Sequence, residues 1–178
     1  MTANLNFNRN HFDLFGLPQA FALDTARLDQ AYRDIQAEIH PDRFAHAGES
    51  EQRLAMQWAT KVNEAYQTLK KPFERARYLL SLNGVDAMDA RNTSMPADFL
   101  MLQMEWREAL EQARAGKNEK TLRALEQTLQ EQARGMRAEL GVLLDEQRAY
   151  ARAGDTLRKL RFMDKLLEEV GAAYESLD

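Results

Sequence analysis

Three consecutive residues, His40-Pro41-Asp42, bring together an imidazole that donates or accepts a hydrogen bond, a ring that fixes φ, and a carboxylate able to pair with an arginine. A turn stiffened by proline loses little conformational freedom on docking, so the chemistry it offers is recognition. Taken as an isolated tripeptide it reads first as a plain turn, with Pro41 breaking one helix and Asp42 capping another. Little else in the chain suggests catalysis. The histidines are His11, His40 and His46, and cysteine is absent, which excludes disulfides, thiolate-held zinc or iron–sulfur clusters and a cysteine nucleophile. No Gly-rich phosphate loop, nucleophile elbow or clustered metal-ligand motif occurs. His40, Asp42 and His46 contain ligand-type groups, but their spacing around Pro41 does not prefigure a metal site. Glu168 and Glu169 are adjacent on a helix and point different ways, so they read as surface. The expectation is a protein that is not an enzyme and carries no cofactor and no metal.

The elements that must position this turn are helices. Asp24 offers an N-cap, and Leu23 and Leu28 can close a hydrophobic staple across it. Leu28, Ala31, Tyr32, Ile35 and Ile39 then recur at helical spacing, and the helix must stop near Ile39 because Pro41 pushes its predecessor out of the α region. A polar loop from His40 to about Gly48 follows. The next helix, about Ser50–Lys70, has Ala55, Trp58, Ala59, Val62, Ala65, Tyr66 and Leu69 on one face. A short helix precedes this hairpin, ended by Gly16 and Pro18. Another follows it, opened by Pro72 and ended by Asn83-Gly84 as a left-handed cap. Residues 85–95 lack periodic apolar positions and read as a linker. Beyond them come three helices, about Pro96–Ala115, Asn118–Leu144 and Thr156–Leu177, punctuated by Gly116 and Gly154; their short connections favour an antiparallel bundle.

Composition agrees. With 178 residues, 44% hydrophobic, there is material for two small domains, and only 8 Gly and 4 Pro leave room for few turns. A net charge of −4 without a clustered basic face gives no reason to expect nucleic acid. No run of about 18 apolar residues exists to span a bilayer. The polar start, Met1 to Asn10, has neither the apolar stretch of a signal peptide nor the arginines of a transit peptide, so a bacterial cytoplasmic protein is expected.

In its context the tripeptide becomes specific. Ala31-Tyr32-Arg33 precedes it, and Val62-Asn63-Glu64-Ala65-Tyr66, Leu69, Arg75-Ala76 and Tyr78 follow. From roughly Phe12 to Tyr78 the chain resembles the J-domain of DnaJ-like co-chaperones. The resemblance implies two long antiparallel helices flanked by short ones, with a His-Pro-Asp turn that docks on an ATP-bound DnaK-type chaperone and accelerates its ATP hydrolysis. It assigns chaperone binding to His40, Pro41 and Asp42, supported by Arg27, Arg33 and Arg43. The second helix departs from the usual basic face: Arg27 and Arg33 share it with Asp34 and Glu38, and Arg43 stands where lysine is common. Steering toward an acidic chaperone surface is therefore weaker, which implies modest affinity or a specialised partner.

The remainder lacks the Gly/Phe-rich and cysteine-rich regions of general DnaJ proteins. Phe99-Leu100-Met101, Arg107-Glu108, Leu157-Arg158-Lys159-Leu160-Arg161-Phe162, Asp164-Lys165-Leu166 and the junction Leu79-Leu80-Ser81-Leu82 with Gly84 make it similar to the HscB family, J-type co-chaperones of iron–sulfur cluster assembly. That likeness implies that the C-terminal bundle holds a cluster scaffold of the IscU kind and presents it to a chaperone of the HscA kind.

Helical spacing points to a binding face independently. Phe99, Leu102, Trp106, Leu110 and Ala113 suffice for a core stripe, and Leu100, Met101 and Met104 fall more than about 90° from it. On the last helix Leu157, Leu160, Leu167, Val170 and Tyr174 form the stripe, with Phe162 about 110° away. These four large apolar residues are expected to form an exposed scaffold-binding patch rimmed by Glu105 and Glu108; the alternative is that a second covered side makes them ordinary core.

The expected fold is all-α: a J-domain with a short polar tail over residues 1–84, a linker over 85–95, and an antiparallel three-helix bundle over 96–178. The expected function is a co-chaperone that activates a partner's ATPase and delivers an iron–sulfur scaffold to it. A J-domain protein with another client, and a helical scaffold with no chaperone link, remain as alternatives.

Overall fold

The computed structural model describes residues 8–89, 91 and 95–176. Residues 1–7 of the polar tail, 90 and 92–94 of the segment read as a linker, and Leu177 and Asp178 lie outside them. Every regular element among the described residues is helical, and contacts divide the chain into two compact units, Met1–Leu79 and Leu80–Asp178.

In the first unit, caps start the helices. Asn10 accepts the Asp13 N–H at 2.9 Å and opens α1 (His11–Leu14). Asp24 accepts from the N–H groups of Ala26 and Arg27 at 3.0 and 3.1 Å and opens α2 (Thr25–Ile39), with Leu28 fully buried. The helix stops where expected: His40 has φ −57° and ψ 130°, the backbone that a following proline requires. The loop beyond it contains one 3₁₀ turn over Pro41–Phe44 before α3 (Glu49–Lys70) begins. Helices α2 and α3 run antiparallel. Lys70 Nζ donates to both carboxylate oxygens of Asp29 at 2.5 and 2.8 Å, the Tyr66 hydroxyl donates to Asp29 at 3.0 Å, and Tyr32 stacks on Tyr66 at 4.0 Å. The Lys70 hydrogen bond holds the Asp29 carboxyl below the ordinary carboxylate range. Between the helices lie Leu28, Ile39, Ala55, Trp58, Val62, Ala65 and Leu69. α4 (Pro72–Leu82) begins with its proline and ends before Gly84, whose φ of +75° suits a residue without Cβ. Near its start the buried Arg75 donates to the carbonyls of Phe21 and Leu69 at 2.8 and 2.6 Å.

Helix α1 is tied down by its first residue. The His11 ring stacks on Tyr78 at 4.1 Å, its backbone N–H donates to the Tyr78 hydroxyl at 3.1 Å, and its Nδ1 is buried without a hydrogen-bond partner. Burial first, and then the charge of Lys61, push its pKa below the ordinary histidine value, with Glu64 opposing. Because the folded pKa is depressed, the unfolded chain binds the proton first. Stability is therefore full above the unfolded-state value of about 6.5 and declines as pH falls from there toward the lower folded value. Thermal melts across this window should show the decline in the wild type. His11→Phe should flatten it; an unchanged acid slope would mean that His11 does not cause it.

In the second unit, α5 (Ala97–Ala115), α6 (Glu119–Gly141) and α7 (Tyr150–Glu175) form the bundle. Cross-helix pairs set the directions. Tyr174 bonds Glu126 at 2.9 Å and Arg137 bonds Asp164 at 3.1 Å, so α6 and α7 are antiparallel. Phe99 meets Phe162 and Arg107 meets Glu169, so α5 runs parallel to α7. Asn118 caps α6 through the Thr121 N–H, and one π turn (Val142–Glu146) prolongs that helix.

Two sequence expectations are corrected here. Gly154 does not punctuate the last helices: α7 begins at Tyr150, and Gly154 lies buried inside it. A Cβ there would come within 3.3 Å of Val85 Cγ1, so glycine serves the approach of the Val85–Ala87 segment; the break falls instead at Arg148, with φ +52°. The core stripes also shift. Leu102 is exposed, Leu167 and Tyr174 are half-buried, and Met163, Leu166 and Ala173 complete the buried face of α7. A stripe read from one helix does not show which of its edges a neighbour covers.

Candidate functional site

Two surfaces carry the residues singled out by sequence, one in each unit. The first is the turn between α2 and α3. His40 Nδ1 accepts the Asp42 backbone N–H at 3.3 Å, so the neutral ring holds its proton on Nε2 and keeps that group as a donor. The Asp42 side chain is 92% exposed, with its carboxylate 3.6 Å from His40 Nδ1. A carboxylate presented this way can accept paired hydrogen bonds from a partner's guanidinium.

The supporting arginines differ from one another. Arg43, expected at the interface, turns back into the fold: its Nη1 donates to the Ala37 carbonyl in the last turn of α2 at 3.0 Å. Arg33 donates to Gln30 at 2.7 Å, and Gln30 donates to Asp34 at 2.7 Å, so the mixed charge of α2 forms a connected surface row. Arg27 is exposed in the first turn of α2. Gln52, which sequence reasoning missed, donates through Nε2 to the carbonyls of Ala47 at 3.1 Å and Ala45 at 3.4 Å. A glutamine near the start of a helix carries no distinguishing sequence signal.

The second surface is the outer face of α5. Leu100, Met101 and Met104 are 45%, 64% and 73% exposed; Leu102, assigned by spacing to the core, is 38% exposed at the edge of that other stripe. Full burial of such side chains stabilises by about 1.5–3 kcal/mol each, which makes a contiguous exposed set a docking surface in energetic terms. Glu105 and Glu108 flank it in solvent, and Gln112 donates to Glu108 at 3.1 Å. Phe162 differs from its expected state. It is half-buried, packed edge-to-face on Phe99 at 5.9 Å, with the Arg107 guanidinium 5.5 Å from its ring centroid. Arg107 is itself held by Glu169 at 3.3 Å. Phe162 therefore has an intramolecular place and shows only part of its ring. No cluster of three or more His, Asp or Glu side chains suited to a metal occurs among the described residues.

Residues 95–171 match the family described as "HSCB C-terminal oligomerisation domain". Over 173 residues, 97% of this chain and 98% of the relative, the sequence is 51% identical to the "Co-chaperone protein HscB homolog" of Paraburkholderia phytofirmans. This chain belongs to the HscB family. The homologue from Burkholderia multivorans is 52% identical over 169 residues, covering 95% of this chain and 96% of its own. Among solved structures, HscB from Vibrio cholerae superposes with a TM-score of 0.80 at 40% identity, covering 96% of this chain and all of the other. Human HscB gives 0.83 at 27% identity, covering 94% and 83%. The all-helical fold is thus that of an HscB protein, an N-terminal J-domain followed by a C-terminal helical bundle. HscB membership makes the chain a J-type co-chaperone of iron–sulfur cluster assembly, a class that works with a chaperone and a scaffold. No helix among the described residues is long and apolar enough to cross a membrane.

Proposed function

We propose that this chain stimulates ATP hydrolysis by an HscA-like, DnaK-type chaperone through His40, Pro41 and Asp42, and delivers to it an IscU-like iron–sulfur scaffold docked on α5. The chain is then an activator of a partner's ATPase, not an enzyme, working in the bacterial cytoplasm. The observation that carries the reading is the apolar face Leu100, Met101 and Met104, exposed on a bundle whose buried core is formed by other residues. A soluble helix keeps such a face open only at a cost, and Met side chains adapt to a partner's contours. Phe162, braced by Phe99 and Arg107, borders the face with a rigid aromatic edge, and Glu105 and Glu108 give it a polar rim.

At the other surface, the Asp42 carboxylate accepts a chaperone guanidinium while His40 Nε2–H donates. Arg27 and Arg33 add modest electrostatic steering, and Arg43 supports the turn from behind through Ala37. The cluster remains cargo of the scaffold, since the chain contains no cysteine to hold it. The test is single-turnover ATP hydrolysis by the HscA-like chaperone. Adding this chain should accelerate it, and adding the scaffold together with the chain should accelerate it more than the two separate effects combined. Absence of any acceleration would overturn the proposal.

A further inference from the structure

We infer that Gln52 is a positioning residue for the His40–Asp42 turn: its side-chain amide holds the turn to α3 in the conformation that docks, as Arg43 holds it to α2. The inference rests on the chaperone-activating role proposed for the turn. Backbone bonds carry the chain from His40 to Ala47 in short steps: Arg43 N–H to His40 at 3.0 Å, Ala45 N–H to Asp42 at 3.4 Å, and Ala47 N–H to Phe44 at 2.9 Å. These bonds shape the segment locally. Two side-chain donors reach further, between the segment and the long helices. Arg43 Nη1 bonds the Ala37 carbonyl in α2, and Gln52 Nε2 bonds the carbonyls of Ala45 and Ala47 from the first turn of α3. A primary amide has two hydrogens, enough for both carbonyls.

The bonds lie at the surface, with Ala47 half-buried and the other residues exposed, so their loss leaves no fully buried polar atom stranded, and the hairpin core of Leu28, Trp58, Val62 and Leu69 is untouched. What changes is the fraction of molecules with the turn in its docking geometry. Apparent affinity for the partner scales with that fraction. The turn's own chemistry, His40 Nε2–H and the Asp42 carboxylate, stays intact.

The experiment measures chaperone ATP hydrolysis against co-chaperone concentration, with thermal melts alongside, for Gln52→Ala, Gln52→Glu, Gln52→Lys and Asp42→Asn in the full chain. Gln52→Ala and Gln52→Glu should raise the half-maximal concentration about five- to tenfold with the saturating rate and melting temperature unchanged. A carboxylate retains the length of glutamine but cannot donate to carbonyls, whereas lysine donates, so Gln52→Lys should remain within about threefold of wild type. The inference fails if Gln52→Ala and Gln52→Glu match wild type while Asp42→Asn is inactive. It fails equally if Gln52→Glu behaves normally, or if Gln52→Lys is as weak as Gln52→Ala, since the donated bond is then irrelevant. It also fails if the melting temperature falls and the half-maximal concentration does not move, the signature of a purely structural role. Full activity in Asp42→Asn would instead overturn the chaperone-activating role itself.

Discussion

Asp42→Asn should remove nearly all stimulation of chaperone ATP hydrolysis while leaving the melting temperature and helical content of the co-chaperone unchanged. The carboxylate is almost fully exposed and its side chain packs on no core residue, so stability should move by less than about 0.5 kcal/mol. An amide at the same position keeps the shape but removes the charge that makes a hydrogen bond from a guanidinium strong. Hydrogen bonds to charged groups contribute about 1.5–3 kcal/mol, so one lost pair weakens docking by about ten- to a hundredfold. His40→Gln should act similarly, because a flexible amide replaces the rigid ring whose Nδ1 accepts from the Asp42 backbone while Nε2–H points outward, so donor and turn are no longer held together. Stimulation at wild-type strength in both variants would remove these residues from the mechanism.

The α5 face separates stability from binding in a second set of variants. Met101→Ala and Met104→Ala remove side chains that stand mostly in water, so folding stability should fall by no more than about 0.5 kcal/mol, while Leu100→Ala, more than half buried, should cost about 1 kcal/mol. A buried neighbour such as Leu110 would lose about 2–5 kcal/mol on the same truncation. Affinity for an IscU-like scaffold should drop by about 2 kcal/mol or more at the central positions, about thirtyfold in Kd. Phe162→Ala should do both. It surrenders an edge-to-face contact with Phe99, typically about 0.5–1.5 kcal/mol, and the Arg107 contact over its ring, about 0.5–1 kcal/mol, before any partner arrives. Stimulation by the co-chaperone alone should persist in all four, since the turn is unaltered, and the additional stimulation on adding scaffold should disappear. Calorimetric titration with the scaffold and thermal melts decide the matter. A Met101→Ala or Met104→Ala protein that melts early and binds normally would make the face structural.

Much of this was legible in the chain because helix ends are written locally. Asp24 caps α2 through N–H groups two and three residues away, and the helix stops at His40, whose backbone takes the extended ψ expected of a residue before proline. The His40-Pro41-Asp42 tripeptide and its Asn63-Glu64-Ala65-Tyr66 context are likewise contiguous, and they identified the J-domain without coordinates. The apolar residues off the α5 stripe could be read because a helix cannot turn Phe99 and Met101 toward the same neighbour.

Contacts between elements were a different matter. The start of α7 was misplaced because glycine usually marks a break; here Val85 packs close enough to Gly154 to crowd a Cβ, which no local pattern records. Leu102 and Leu110 are equally apolar and both lie near one stripe, yet one is exposed and the other buried, because coverage depends on the neighbouring helices. Phe162 gained a partner in Phe99, and Arg43 and Gln52 became braces of a turn, through side chains reaching elements that spacing on their own helix cannot reveal. The sequence by itself determined the helices, their caps and the chemistry at the tip of the hairpin, since these depend on residues within one or two turns of each other. Only the tertiary structure decided which edge of each apolar stripe stayed open and what holds the tip in place, since both depend on the space left by distant segments.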